Sequence, residues 1–119
     1  MNLKLISVVA SLLVVGCATP DDLRKSKAEV EYNSTQPSRV VASCIADRWE
    51  NAVNFGALPI TVRPTSKGYT VLASNTGVQE AILVSDVVDT PGGSHTLVFL
   101  GRYPLGLSRY LQGAQECQR

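Results

Sequence analysis

The chain has 119 residues, of which 45% are apolar and 18% charged, with a formal net charge of +1. That length holds one small core, and the apolar content excludes wholesale disorder. With no basic stripe and no aromatic-interleaved basic motif, nucleic acid is excluded as a partner class.

At the N-terminus Lys4 precedes an apolar run from Leu5 to Val15. The run is well short of the ~20 residues a membrane-spanning helix needs, and it reads as the n-region and h-region of a signal peptide. It ends in Val14-Val15-Gly16-Cys17, which resembles the lipobox of bacterial lipoproteins. The resemblance implies a diacylglycerol on the Cys17 thiol, removal of residues 1–16, and an acylated new amino terminus. Only a thiol can form the thioether, and Gly16 offers a peptidase an unobstructed bond. At ~0.8 kcal/mol per buried methylene, several chains on one residue anchor persistently. Ala18 stands where an Asp would favour retention at the inner membrane, by resemblance to enterobacterial sorting. The expected location is therefore the outer membrane, facing the periplasm. The alternatives are a plain signal peptide with an incidental cysteine, or an N-terminal helix that buries Cys17.

Residues 17–36 follow as the lipidated cysteine and a flexible tether, because Pro20, Asp21, Asp22, Arg24, Lys25, Lys27, Glu29 and Glu31 leave few large apolar side chains. Such a coil averages roughly 25 Å and reaches about 65 Å at full stretch. A transient helix over Asp21 to Tyr32 has too thin an apolar stripe to pack. Residues 37–119 form the folded domain. Val41, Cys44, Ile45, Trp49 and Ala52 recur at helical spacing after Pro37, predicting an amphipathic helix that ends around Asn54 to Gly56. Four short runs predict strands: Leu58 to Arg63, Tyr69 to Ser74, Val78 to Thr90, and His95 to Tyr103. Pro64 to Gly68, Asn75-Thr76-Gly77 and Pro91-Gly92-Gly93-Ser94 punctuate them. Pro59 suits the first of these strands to an edge. Leu107, Tyr110, Leu111, Ala114 and Cys117 predict a last helix, whose interior Gly113 is either a close helix contact or a weakness. The expected fold is α+β and two-layered: a four-stranded antiparallel sheet with N- and C-terminal helices packed on one face, in the order α-β-β-β-β-α.

Cys44 and Cys117 lie on the apolar stripes of the two predicted helices. An exported lipoprotein enters an oxidising compartment, and with Cys17 taken by lipid one pair remains, so a Cys44–Cys117 disulfide is expected. Two unlinked buried thiols, or a redox or metal role without any C-x-x-C spacing, are the alternatives.

No catalytic, cofactor-binding or metal site emerges. His95, the one histidine, follows a Gly-Gly turn, and no nucleophile or acid stands at a characteristic spacing from it. Trp49 and Tyr110 are expected in the core, or lining a ligand cavity. Arg63 and Arg102 read as strand charges that discourage edge pairing, or as an anion site. Along the third predicted strand Ile82, Val84 and Val88 point one way and Ala81, Leu83 and Val87 the other. Two helices can cover one sheet face, so either the opposite face takes cover from the tether, a second copy in a homodimer, or a partner protein, or a twisted sheet buries this strand within one subunit.

Cys44-Ile45-Ala46-Asp47-Arg48-Trp49, Arg63-Pro64, Gly68-Tyr69 and Ser85-Asp86-Val87-Val88-Asp89 resemble small proteobacterial lipoproteins with a C-I-A-x-x-W start and a near-terminal cysteine. The resemblance covers most of residues 40–118 and implies the anchor and the disulfide, but no activity. The expected function is that of a non-enzymatic envelope lipoprotein that binds a protein partner or stabilises an assembly. A binder of small molecules or cell-wall fragments, and an inhibitor of a hydrolase such as lysozyme, are the competing readings.

Overall fold

Three helices and one antiparallel sheet of five strands make up an α+β fold. The computed structural model describes residues 18–52, 58–75, 80–101 and 106–119. In chain order the elements are α1 (Pro20–Arg24), β1 (Val30–Ser34), α2 (Ser38–Glu50), β2 (Ile60–Thr65), β3 (Gly68–Ser74), β4 (Ala81–Thr90), β5 (Gly93–Leu100) and α3 (Leu107–Glu116). Across the sheet the order is β1-β5-β4-β3-β2.

The four expected strands are present as β2 to β5, joined as a meander, with β2 at an edge. Two expectations are corrected. The sheet has a fifth strand, β1, drawn from residues assigned to the tether and paired with β5 from Val30↔Val98 to Ser34↔Ser94. The same segment supplies α1, so a third helix lies on the sheet face that α2 and α3 leave open. Val30 and Tyr32 turn towards the core while Glu31 and Asn33 face outward, an alternation that half-buries the strand.

Helix α2 crosses β2 to β5 and buries Val41, Ile45 and Trp49, one turn apart along a single face. Its N-cap is Pro37, which has no side-chain bond to offer. The carboxylate at the helix start comes from the sheet, where Asp89 accepts the Ser38 hydroxyl, a position that suits a negative charge. Asn51 caps α2; the expected end at Asn54 to Gly56 lies outside the described residues. Helix α3 packs on α2, with Tyr110 and Ala114 fully buried. A Cβ at Gly113 would come within 3.1 Å of the Arg48 Cβ, so this glycine marks a close helix contact.

A further correction concerns the two faces of β4. The register slips between Ala73↔Leu83 and Ser74↔Ala81, leaving Ile82 as an extra residue. The bulge puts Ile82 beside Leu83 in the core under α2, and Ala81 beside Val84 under α1. Strict alternation assigns the reverse for Ile82 and Ala81.

The β2–β3 and β4–β5 hairpins turn on glycines. At Gly68 (φ +154°) an added Cβ would sit 2.0 Å from the Val87 carbonyl oxygen, and at Gly93 (φ +152°) 2.1 Å from that of Ser34. Both positions require a residue without a side chain. Pro91-Gly92-Gly93-Ser94 is accordingly the β4–β5 turn and its entry into β5.

Candidate functional site

Helix α1 is a five-residue strap, too short to persist unaided. Its start is fixed by a capping box: Asp22 donates its amide to the Thr19 hydroxyl at 3.3 Å, and Thr19 donates its amide to the Asp22 carboxylate at 2.9 Å. The Thr19 amide, then its hydroxyl, hold the Asp22 carboxyl below its ordinary pKa. Leu23, 3% exposed, packs with Leu72, Val84 and Phe99, the apolar side chains that line this face. Burial of such a leucine is worth about 1.5–3 kcal/mol. The expected need for cover on this face is thus met by the chain itself at Val84, while Ile82 lies in the opposite core.

Next to Leu23, Arg24 grips Asp86 in the centre of β4 with both arms. Nε donates to Oδ2 at 2.7 Å and Nη2 to Oδ1 at 2.8 Å, a bidentate geometry. Thr70 donates to the same Oδ1 at 2.7 Å, and Asp21 accepts from Nη1 at 2.8 Å. The Asp86 carboxylate raises the pKa of the guanidinium further above its already high value. Sequence reasoning missed this latch, since 62 residues separate its partners. The strap itself had a readable signal in Thr19-Pro20-Asp21-Asp22-Leu23, which has the capping-box pattern ahead of an apolar residue.

The Cys44–Cys117 disulfide joins α2 to the end of α3, with Cα atoms 5.6 Å apart. Trp49 and Tyr110 meet edge to face, ring centroids 5.9 Å apart, and the indole donates to the Tyr110 carbonyl at 3.0 Å. Both are 0% exposed, so they fill the core and do not line an open cavity. Burial pushes the Tyr110 hydroxyl pKa up, with the Leu58 backbone acting against it.

His95 lies on β5, on the α1 side of the sheet. Its Nδ1 is 2.7 Å from the Asn33 carboxamide oxygen and its Nε2 3.5 Å from a Glu31 carboxylate oxygen. Its neighbour Ser94 donates instead to the Gln36 carbonyl at 2.8 Å, so histidine and hydroxyl are not brought together. Arg63 is exposed on edge strand β2. Arg102 and Cys17 lie outside the described residues. Among the described residues no group of three or more His, Cys, Asp or Glu is placed to hold a metal ion, and no helix is long and apolar enough to cross a membrane.

The concave surface of note runs along the outer edge of β1. A groove of about 620 Å³ is lined on one side by Glu31, Tyr32 and Asn33 and on the other by Gln112, Gln115 and Gln118, with Glu116 and Arg119 at its rim. Carboxamides that donate and accept dominate it, which suits a polar chain more than an apolar ligand. Gln118 is itself fixed, donating to the Ala114 carbonyl at 2.8 Å, and its backbone carbonyl accepts the Ser34 hydroxyl at 2.6 Å. No protein-family model, curated protein or solved structure matches the chain.

Proposed function

We propose that this chain is the folded domain of a lipid-anchored envelope lipoprotein, attached through Cys17 at the outer membrane and facing the periplasm, that acts by binding another protein and not by catalysis. Attachment is supported by Lys4, the Leu5 to Val15 run and Val14-Val15-Gly16-Cys17. The Cys44–Cys117 disulfide is of the kind that persists in oxidising compartments.

The binding half rests on the contrast between the two edges of the sheet. Edge strand β2 carries Pro64, which cannot donate to a neighbouring strand, and the exposed cation Arg63, both of which discourage pairing. Edge strand β1, Val30-Glu31-Tyr32-Asn33-Ser34, has neither proline nor cation and borders the carboxamide groove. An extended segment of a partner protein adds to β1 through its backbone, while Gln112 and Gln115 read its polar side chains.

A photoreactive amino acid placed at Gln115 or at Arg63 in the natively lipidated protein tests this. A defined crosslinked partner from position 115 and none from position 63 is expected. Equal capture at the two edges, or none at position 115, sinks the reading.

A further inference from the structure

Ala18 is the first described residue, and it is already part of the fold. Its carbonyl accepts the Ala81 amide at 2.8 Å, where β4 begins. The Asn75 amide bonds the Glu80 carbonyl at 2.9 Å, and the Gly101 amide bonds that of Ile82 at 2.8 Å. The near ends of β3, β4 and β5 therefore gather at one pole of the sheet, with Ala18 on it. Beyond Ala18 the chain has no slack: Thr19 caps α1, Leu23 is buried, and Arg24 is clamped to Asp86. Consecutive Cα atoms lie ~3.8 Å apart across any trans peptide bond.

The opposite pole carries the β2–β3 and β4–β5 turns, and the end of β4 is bonded to the first of them, Asp89 donating its amide to the Lys67 carbonyl at 2.7 Å. The ten residues of β4 span the two poles, a distance of ~30 Å at the rise of an antiparallel strand.

We infer that the lipid on Cys17 seats the domain directly on the membrane instead of tethering it loosely. The pole of Ala18, Ala81 and Gly101 rests at the lipid headgroups, and the Ser66-Lys67 and Pro91-Gly92 turns point outward. This rests on reading Cys17 as the lipid-bearing residue. A free coil over residues 18–36 would let the domain wander by roughly 25 Å in any orientation. A pinned Ala18 removes that freedom, since the anchor and the fold are one residue apart. The β1 edge then runs along the flank of the seated domain, across the space between membrane and outward pole.

The test uses the full chain, lipidated by its native machinery and reconstituted into phosphatidylethanolamine–phosphatidylglycerol vesicles that carry a nitroxide-headgroup lipid. A fluorescent amino acid replaces either Asn75, at the seated pole, or Gly92, at the outward one. An added Cβ at Gly92 meets nothing within 4 Å, so the fold tolerates the label there. Quenching several-fold stronger at position 75 than at position 92 is expected. Inserting about twelve Gly and Ser residues between Cys17 and Ala18 should abolish the difference while the protein still floats with the vesicles. Flotation with equal quenching at the two poles, before any insertion, overturns the seated arrangement and leaves the anchor intact. Failure to float, with Cys17 unmodified by mass spectrometry, overturns both.

Discussion

Replacing both bridge cysteines, Cys44→Ser with Cys117→Ser, removes a crosslink that spans a sequence separation of 73 residues. The loop-entropy relation for that span gives ~4.4 kcal/mol at 25 °C, released as the unfolded chain regains its freedom. That is some three decades in the folding equilibrium and a large share of the ~5–15 kcal/mol typical of a whole domain. With a urea dependence of order 1–3 kcal/mol per molar, the midpoint should fall by ~1.5–4 M. The chain's one tryptophan, Trp49, is fully buried against Tyr110 and reports the transition by its fluorescence. The native emission itself should not change. Helix α3 keeps other holds on α2: the buried Tyr110 and Ala114, the indole bond to the Tyr110 carbonyl, and Arg48 to Glu116 at 3.0 Å. Two results refute the reasoning. A midpoint shift under ~0.5 M denies the entropic account. A red-shifted Trp49 in buffer without urea shows that α3 docks only when covalently held.

Leu23→Ala should cost ~2–4 kcal/mol of strap docking, as a buried leucine truncated to alanine typically does. The damage should stay local: amides of residues 18–28, and that of Ala81 bonded to Ala18, lose protection from hydrogen exchange while the rest of β4 keeps its own, and equal loss in both shows that the strap is not a separable unit. Stability at alkaline pH should depend on Tyr110. Its pKa is raised above the ordinary 10.0, so the folded state retains the proton longer than the unfolded chain. The associated stability is fully present below about pH 10 and is lost as pH rises beyond it. Urea midpoints followed through that range should fall for the native protein and fall less for Tyr110→Phe; identical slopes contradict the assignment.

Elements with strong periodicity were legible in the sequence. Val41, Ile45 and Trp49 in α2, and Tyr110 and Ala114 in α3, recur at helical spacing because each packs on the same core. The strands β2 to β5 stand between proline and glycine turns that no regular element accommodates. The N-terminal segment is not legible in the same way, for two physical reasons. Strand β1 alternates Val30, Glu31, Tyr32, Asn33, a pattern present but brief, and its stability comes from β5, distant in sequence. Helix α1 lacks an apolar stripe because it needs only one buried residue, Leu23, and a latch whose other half lies on β4. The swap of Ile82 and Ala81 between faces follows from a bulge, and one extra residue leaves no mark on the alternation that precedes it. The candidate groove was illegible because Gln112, Gln115 and Gln118 read as the solvent face of a helix, with nothing local to show that β1 runs alongside.

The pairing of β1 with β5, and of Cys44 with Cys117 across a sequence separation of 73, also sets the timing of folding. During synthesis Val30 emerges well before its partner Val98, which lies far along the chain. The sheet cannot close until both are present, and non-local contacts of this kind make closure slow. Until then the polypeptide has no complete sheet, and its unpaired strand edges are open to aggregation.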